Sequence, residues 1–348
     1  MNERRLSGKL LQYASYTNVV FGSREQKLSS NSNPEVWVVK DQRIADYGFG
    51  EGHPFGPDRH DAFQAELAAS EVAASVKFVE ARLAAREEIA AFHTERYIDF
   101  VQEACAGGQA TLDQGDTPAF AGLFEASSWV VGGTLTLLDA IMAGEARRGF
   151  IPIAGLHHAG RDHTSGFCVF NDCGVAAELL RSRYGLQRIA YIDIDAHHGD
   201  GMYYAFESDP YIYIADIHED GRALFPGTGH RDETGTGEAA GTKLNIPLRP
   251  RMGDEKFLQV WEDVEAFLDE AKPEFILFQC GADSIAGDPI THLQFSPAAH
   301  AHAARRLCAL AERHAGGRIL GMGGGGYNRD NLARGWTAVV REFVTSPG

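Results

Sequence analysis

Residues 191–201 read YIDIDAHHGDG, with two alternating aspartates, a histidine pair and a third aspartate at the end of the apolar run RIAYIDID. In an extended strand side chains alternate, so the spacing predicts that Asp193, Asp195 and His197 share one side of a sheet. An Asp and a His two residues apart on one face can grip a divalent metal. Polar groups at the end of an apolar strand are costly unless a metal or a partner engages them. Asp195 and His197 are therefore candidate metal ligands. Asp193 and Asp200 are further carboxylates within reach of histidines, and a carboxylate accepting an imidazole Nδ1–H fixes its tautomer and raises its basicity. A strand-end ion-pair network without metal is the plainer alternative. The segment points to a metal-dependent hydrolase rather than a binding module.

Three other clusters carry chemistry. GLHHAGRDHTSGFCVFND (155–172) holds the tandem His157 and His158 after an apolar run. One histidine in a turn is usually structural, whereas two at a strand end suit acid–base work or metal binding. QCGADSIAGDP (279–289) offers Asp283 as a third ligand, and two carboxylates plus one imidazole leave a fourth zinc position open. Asp288, before a proline, fits a turn or cap role equally well. GMGGGGYNRDN (321–331) lets backbone pass close to a site, but its spacing is neither GxGxxG nor GxxxxGK[ST]. Tyr327, straight after the glycines, could donate its hydroxyl to a developing oxyanion; taken alone it reads as a packing residue.

The elements that must position these groups follow from patterning. RGFIPIAG, RIAYIDID, YIYIADIH, KLNIPL, EFILFQCGAD and RILGMGGGG read as buried strands, and VWVV (36–39) as the first. Amphipathic stretches near 172–184, 253–271, 297–314 and 329–345 read as helices, as does 127–146. Residues 62–105 are Ala/Glu-rich with helical periodicity, broken near FHTERYID into two or more helices. Strand–helix alternation predicts an α/β fold with a mainly parallel sheet covered on both faces, whose site lies at the carboxyl ends of the strands. Residues 1–34 read as an N-terminal extension (lid, assembly segment or disordered tail), and 35–348 as a single catalytic domain.

Composition bounds the rest. The 348 residues, 44% hydrophobic and 23% charged, have a globular composition. No apolar run reaches about 18 residues, so no membrane helix is expected. Cys105, Cys168, Cys173, Cys280 and Cys308 form no CxxC pair, which argues against a cysteine zinc site and fits a reducing cytoplasm. The net charge of −16 repels nucleic acid and suits a basic peptide or polyamine, or equally serves solubility alone.

Together HHAGRDHTSGFCVFND, IDIDAHHGDG, LFPGTG, GADSIAGDP and GGGGYN, in order, resemble the motifs of the zinc-dependent histone deacetylases of the arginase–deacetylase fold, over about residues 47 to 345. Within that family, GHPFGPDRH, GADSIAGDP and GGGGYN are similar to the class I branch, which includes bacterial acetoin-utilisation-type deacetylases. The resemblance implies a three-layer α/β/α fold, with Asp195, His197 and Asp283 as zinc ligands. It implies His157 and His158 beside the reacting water, paired with Asp193 and Asp200, and Tyr327 polarising the amide carbonyl. Phe167 and Phe225 would flank a narrow tunnel, and Asp116 (in GDTP) would hold substrate backbone at the rim. Gly325 would line the tunnel, and Arg59 an internal exit channel. Potassium sites would involve Asp193, Asp195, the His197 carbonyl and Asp216, with a second in the Phe206 region. Leu156 stands where many members carry an aromatic, and Ile290 keeps the rim apolar.

The implied activity is zinc-dependent (Fe²⁺ would also suit the ligands) hydrolysis of acetyl-lysine, or another acyl-lysine, in proteins or peptides. An acetylpolyamine amidohydrolase is the alternative; Glu219 and Asp220 could supply its tunnel-mouth carboxylates, or simply form a solvated loop. A catalytically silent module and a two-manganese ureohydrolase are further readings, the latter leaving Tyr327 without a role. Oligomeric state is open.

Overall fold

A computed structural model describes residues 35–50, 52–108 and 110–347; the expectation for the 1–34 extension lies outside them. Among the described residues eight strands, all paired in parallel, run β1 Val36–Val39, β2 Val76–Val79, β3 Arg148–Ile151, β4 Ile189–Asp193, β5 Ile212–Glu219, β6 Lys243–Leu248, β7 Phe275–Gln279 and β8 Ile319–Met322. Their order across the sheet is β2-β1-β3-β8-β7-β4-β5-β6. The helices are α1 Gln42–Ala45, α2 Asp58–Ala69, α3 Arg86–Ile89, α4 Glu95–Gly107, α5 Leu123–Met142, α6 Asp172–Ser182, α7 Asp200–Phe206, α8 Asp254–Ala271, α9 Pro297–His314 and α10 Arg329–Thr345.

Central strands such as IAYID and FILFQ are buried along their whole length, as a sheet covered on both faces requires. One apolar core packs α4, α5 and α6 against one face through Ile98, Leu135, Leu180 and Tyr191. A second packs α2, α8, α9 and α10 against the other through Phe63, Trp261, Leu307, Trp336 and Ile192. The described residues thus form a three-layer α/β/α domain.

Local chemistry sets the helix ends. Thr94 caps α4 by accepting the Tyr97 N–H, and Gly108 ends it in the left-handed region at φ 70°. Ser296 caps α9, with Pro297 at its first turn.

Two expectations need correction. The helical reading of 62–105 overlooked β2: helix α2 stops at Ser70, and Val76–Val79 pairs with β1 at the sheet edge. Edge pairing by β-branched residues overrides the Ala-rich context. The alternation argument for Asp193, Asp195 and His197 also fails in its geometry. Strand β4 ends at Asp193, so the two residues beyond it are placed by a loop rather than by the pleat.

Candidate active site

The loops after β3, β4, β7 and β8 converge, because these strands are neighbours in the sheet and run in one direction. The loop after β4 carries Asp195 and His197, and that after β7 carries Asp283. Their ligand atoms lie within 4.8 Å of one another, and all three side chains are buried. His197 Nδ1 is 3.0 Å from Asp195 Oδ1 and 3.0 Å from Asp283 Oδ2. Two carboxylate oxygens aimed at one imidazole nitrogen concentrate negative charge that a divalent cation neutralises, and this O/N/O donor set suits zinc.

Groups around the trio hold it in place. Asp195 Oδ2 accepts from Gln279 Nε2 (2.9 Å) and the Gly325 N–H (2.8 Å), while Asp283 Oδ1 accepts the Ala196 N–H (2.8 Å). A Cβ on Gly325 would sit 2.2 Å from Asp283 Oδ2 and 2.8 Å from Asp195 Oδ2, so backbone alone fits there.

The tandem histidines follow β3. Asp172, fully buried at the start of α6, accepts the Gly155 and Leu156 N–H groups and the Thr134 hydroxyl. Asn171 caps α6 and donates to the His157 and Ala159 carbonyls. Held by this turn, His157 Nδ1 meets Asp193 Oδ2 at 2.7 Å, and His158 Nδ1 meets Asp200 Oδ1 at 2.6 Å. Tyr191 donates to the same Asp193 oxygen. The two Nε2 atoms face each other at 3.1 Å.

Burial disfavours a charge on His157, but the carboxylates of Asp193 and Asp195 outweigh it and raise its pKa to about 9. Burial and the adjacent His157 charge draw His158 down to about 4. These opposite shifts favour the proton on His157 over His158, whose Nδ1 faces Asp200 and whose Nε2 is then free to accept. Asp216, expected near a potassium ion, is already engaged: Oδ1 meets His218 Nδ1 at 2.7 Å and Oδ2 accepts the Gly199 N–H.

A cavity of ≈ 20 Å³ at the centre is lined by Leu156, His157, His158, Asp195, His197, Gly325 and Tyr327 among others. Leu156 and Gly325 both stand at its wall. The Tyr327 ring meets Phe167 edge-on at 6.0 Å, and Phe225 packs edge-on against His158 at 5.1 Å. Burial holds the Tyr327 phenol well above its ordinary pKa, so it is a donor at neutral pH. The buried Arg59 guanidinium donates from Nε and Nη2 to the Gly326 and Gly324 carbonyls and lies 5.8 Å from the Tyr327 ring.

Asp288 is more than a turn residue. Its Oδ2 accepts the Tyr327 N–H (2.8 Å) and its Oδ1 the Ile290 N–H (3.0 Å). Replacing it by Ala should free the tyrosine loop and lower kcat on the order of 10–100-fold with zinc content unchanged. Steady-state kinetics beside metal analysis checks this, and a matching loss of zinc would assign Asp288 to the metal instead. Ile290 lies in the loop so fastened and lines neither the central cavity nor the rim groove.

At the surface a groove of ≈ 640 Å³ is lined by Asp113, Asp116, His163, Gly166 and Phe225 among others. Asp116 is exposed, and partial burial with the neighbouring Asp113 carboxylate pushes its carboxyl up to about 6. Its loop is tied to the segment that carries Phe167. Thr117 Oγ1 accepts the Phe167 N–H, and Asp113 accepts the Gly115, Asp116 and Thr117 N–H groups. His53 meets Phe167 edge-on and Phe49 at a tilt and, with Nδ1 accepting from Phe55, donates from Nε2 to the Asp116 carbonyl at 3.1 Å. Phe167 itself adopts φ 65°, held by the Tyr47 hydroxyl between its own carbonyl and the Val169 N–H. Sequence reasoning missed His53, Gln279, Asp172, Thr117 and Tyr47. The FND run before a helix was a readable capping signal; the others are fixed by contacts between distant segments.

Glu219 and Asp220 are committed elsewhere. Glu219 is buried against the His292 ring and N–H, and Asp220 is paired with Arg222. The five cysteines are buried and unpaired. Among the described residues no helix is long and apolar enough to cross a membrane.

Residues 53–343 match the family described as Histone deacetylase domain. The chain is 39% identical over 309 residues to the acetoin utilization protein AcuC of Bacillus subtilis, covering 85% of this chain and 79% of that protein. It is 32% identical over 329 residues to AcuC of Staphylococcus aureus strain MSSA476, covering 92% and 84%. Among solved structures the HDA15 HD domain superposes with a TM-score of 0.82 at 28% identity, covering 89% of each chain. With the parallel three-layer fold and the converging Asp, His and Tyr side chains, these matches place the chain in the histone deacetylase family, as a deacetylase of the AcuC type.

Proposed function

We propose that the protein is a zinc-dependent deacetylase of acetyl-lysine side chains in proteins or peptides. The observation that carries the reading is the convergence of the Asp195, His197 and Asp283 trio with His158 and Tyr327, of which Asp195, His197, His158 and Tyr327 line one small cavity. Zinc, held by those three ligands, would lower the pKa of a water and polarise the amide carbonyl.

The chain's own residues then do the following. His158 Nε2 takes the proton of the attacking water, and Asp200 at Nδ1 steadies the imidazolium that forms. His157 is held charged by Asp193 and orients its neighbour. The Tyr327 hydroxyl donates to the oxygen that gains charge as the carbonyl carbon becomes tetrahedral. The C–N bond breaks as the leaving amine takes a proton from the His158 imidazolium or from His157. Acetate and a free lysine amine result.

Phe167 and Phe225 would hold the slim methylene chain without anchoring its charge. Asp116 would accept two backbone N–H groups, which a peptide has and an acetylpolyamine lacks. The commitment of Glu219 and Asp220 to His292 and Arg222 leaves neither to bind a polyamine ammonium, which favours peptide over the polyamine alternative. Asp116→Ala should lower kcat/KM for an acetyl-lysine peptide roughly 10–100-fold, the worth of charge-assisted hydrogen bonds, and leave acetylcadaverine turnover unchanged. Equal losses on both substrates would remove the rim from substrate selection. An assay of the zinc-loaded enzyme on acetyl-lysine peptide, acetylputrescine and acetylcadaverine tests the function itself, and selective polyamine turnover would reassign the substrate while keeping the chemistry.

A further inference from the structure

Family membership implies a monovalent cation held by backbone oxygens in the Phe206 region, and the residues of this chain do not fit one. Helix α7, whose first residue is Asp200, ends at Phe206, and the chain turns through 207–211 into β5. The Asp209 N–H closes that turn on the Phe206 carbonyl at 3.0 Å. Lys243, the first residue of β6, reaches into the turn from the next strand. Its Nζ donates to the Ile212 carbonyl at 2.7 Å, to Thr242 Oγ1 at 2.7 Å and to the Asp209 carbonyl at 3.1 Å. Three acceptors use all three N–H bonds of an ammonium.

The lysine is only 2% exposed, and among the described residues no carboxylate lies within ion-pairing distance of it. The Asp209 carboxylate is turned to Arg181 and to the Tyr211 N–H. A buried ammonium is costly unless oxygens replace its hydration, and an inward cluster of carbonyls is likewise costly without a cation. Each need answers the other. The lysine stem is packed as well: a Cβ on Gly235 would come within 3.2 Å of Lys243 Cγ. Burial pulls the ammonium down to about 8, so it remains charged at neutral pH.

We infer that Lys243 is a built-in substitute for the monovalent cation at this position, so that the turn joining the Asp200 helix to β5 is held without external potassium. An ammonium and a potassium ion cannot share the same oxygens, because two like charges would meet in a buried site. The chain would then bind at most one potassium ion, at the Asp193, Asp195, His197 and Asp216 position.

The test counts bound cation rather than turnover, so it can fail without touching the acetyl-lysine reading, and the reverse also holds. The full-length, zinc-loaded protein is equilibrated with rubidium chloride as the potassium probe, and bound rubidium per chain is measured by mass spectrometry. Wild type should hold at most one ion. Lys243→Ala, which empties the position, should hold one more than wild type and gain a thermal midpoint that rises with rubidium or potassium but not with choline. Lys243→Met, which fills the space without charge, should match the wild-type count and show no such gain. Two ions on wild type, or no additional ion on a folded Lys243→Ala, would overturn the inference. Should Lys243→Ala fold in neither salt, the wild-type count decides.

Discussion

Tyr327→Phe is expected to lower kcat on an acetyl-lysine peptide about 100–1000-fold, the usual worth of one oxyanion donor. KM should stay within a few-fold, because the ground-state amide gains little from that hydroxyl. The substitution spares the rest of the site. Asp288 binds the backbone N–H of residue 327, and the ring-to-ring contact with Phe167 needs no hydroxyl. Zinc content and thermal midpoint should therefore match wild type. Steady-state kinetics on the zinc-loaded variant checks the expectation; a kcat within a few-fold of wild type would mean that another group stabilises the oxyanion.

Gly325→Ala should weaken the enzyme by a different route, since it removes no ligand. The added methyl carbon would lie 2.2 Å from Asp283 Oδ2 and 2.8 Å from Asp195 Oδ2. Either the two carboxylates move or the glycine-rich loop does. In the second case Asp195 Oδ2 loses the Gly325 N–H, and the Ala282 N–H loses the Gly325 carbonyl. Disturbing the support of metal ligands in this way costs on the order of 10–100-fold in metal affinity. Zinc affinity by chelator competition should fall by that much, with turnover at limiting zinc falling in step. Unchanged zinc affinity would show that the loop yields without cost and that close backbone approach is not what this position demands.

How far the sequence could be read depends on the range of the interactions involved. Strands such as IAYID and FILFQ were legible because burial on both faces demands a continuous apolar run. Helices α8 to α10 were legible because one face of each is apolar, and α9 and α10 also start with capping residues. Strand β2 was not, since four residues at a sheet edge owe their conformation to β1 rather than to themselves.

The site divides in the same way. Asp195, His197 and Asp283 stood out as candidates because they are polar residues just after apolar strands, although the pleat argument for Asp193, Asp195 and His197 does not apply beyond Asp193, where β4 ends. The His157–Asp193 and His158–Asp200 pairs could be expected from the surplus of carboxylates near imidazoles. His53, Gln279 and Thr117 could not, because their roles come from contacts across 63, 84 and 50 residues of chain. Lys243 likewise reads in the sequence as an ordinary strand-end cation; only the fold shows that three oxygens enclose it.

The most direct test of the central claim is one assay. Peptide and acetylcadaverine turnover are compared before chelation, after it, and after stepwise return of zinc. The proposed function predicts that peptide turnover disappears on chelation, returns with one equivalent of zinc per chain, and exceeds acetylcadaverine turnover whenever zinc is present. Turnover that survives removal of the metal, or a restored enzyme that prefers acetylcadaverine, would contradict a zinc-dependent lysine deacetylase.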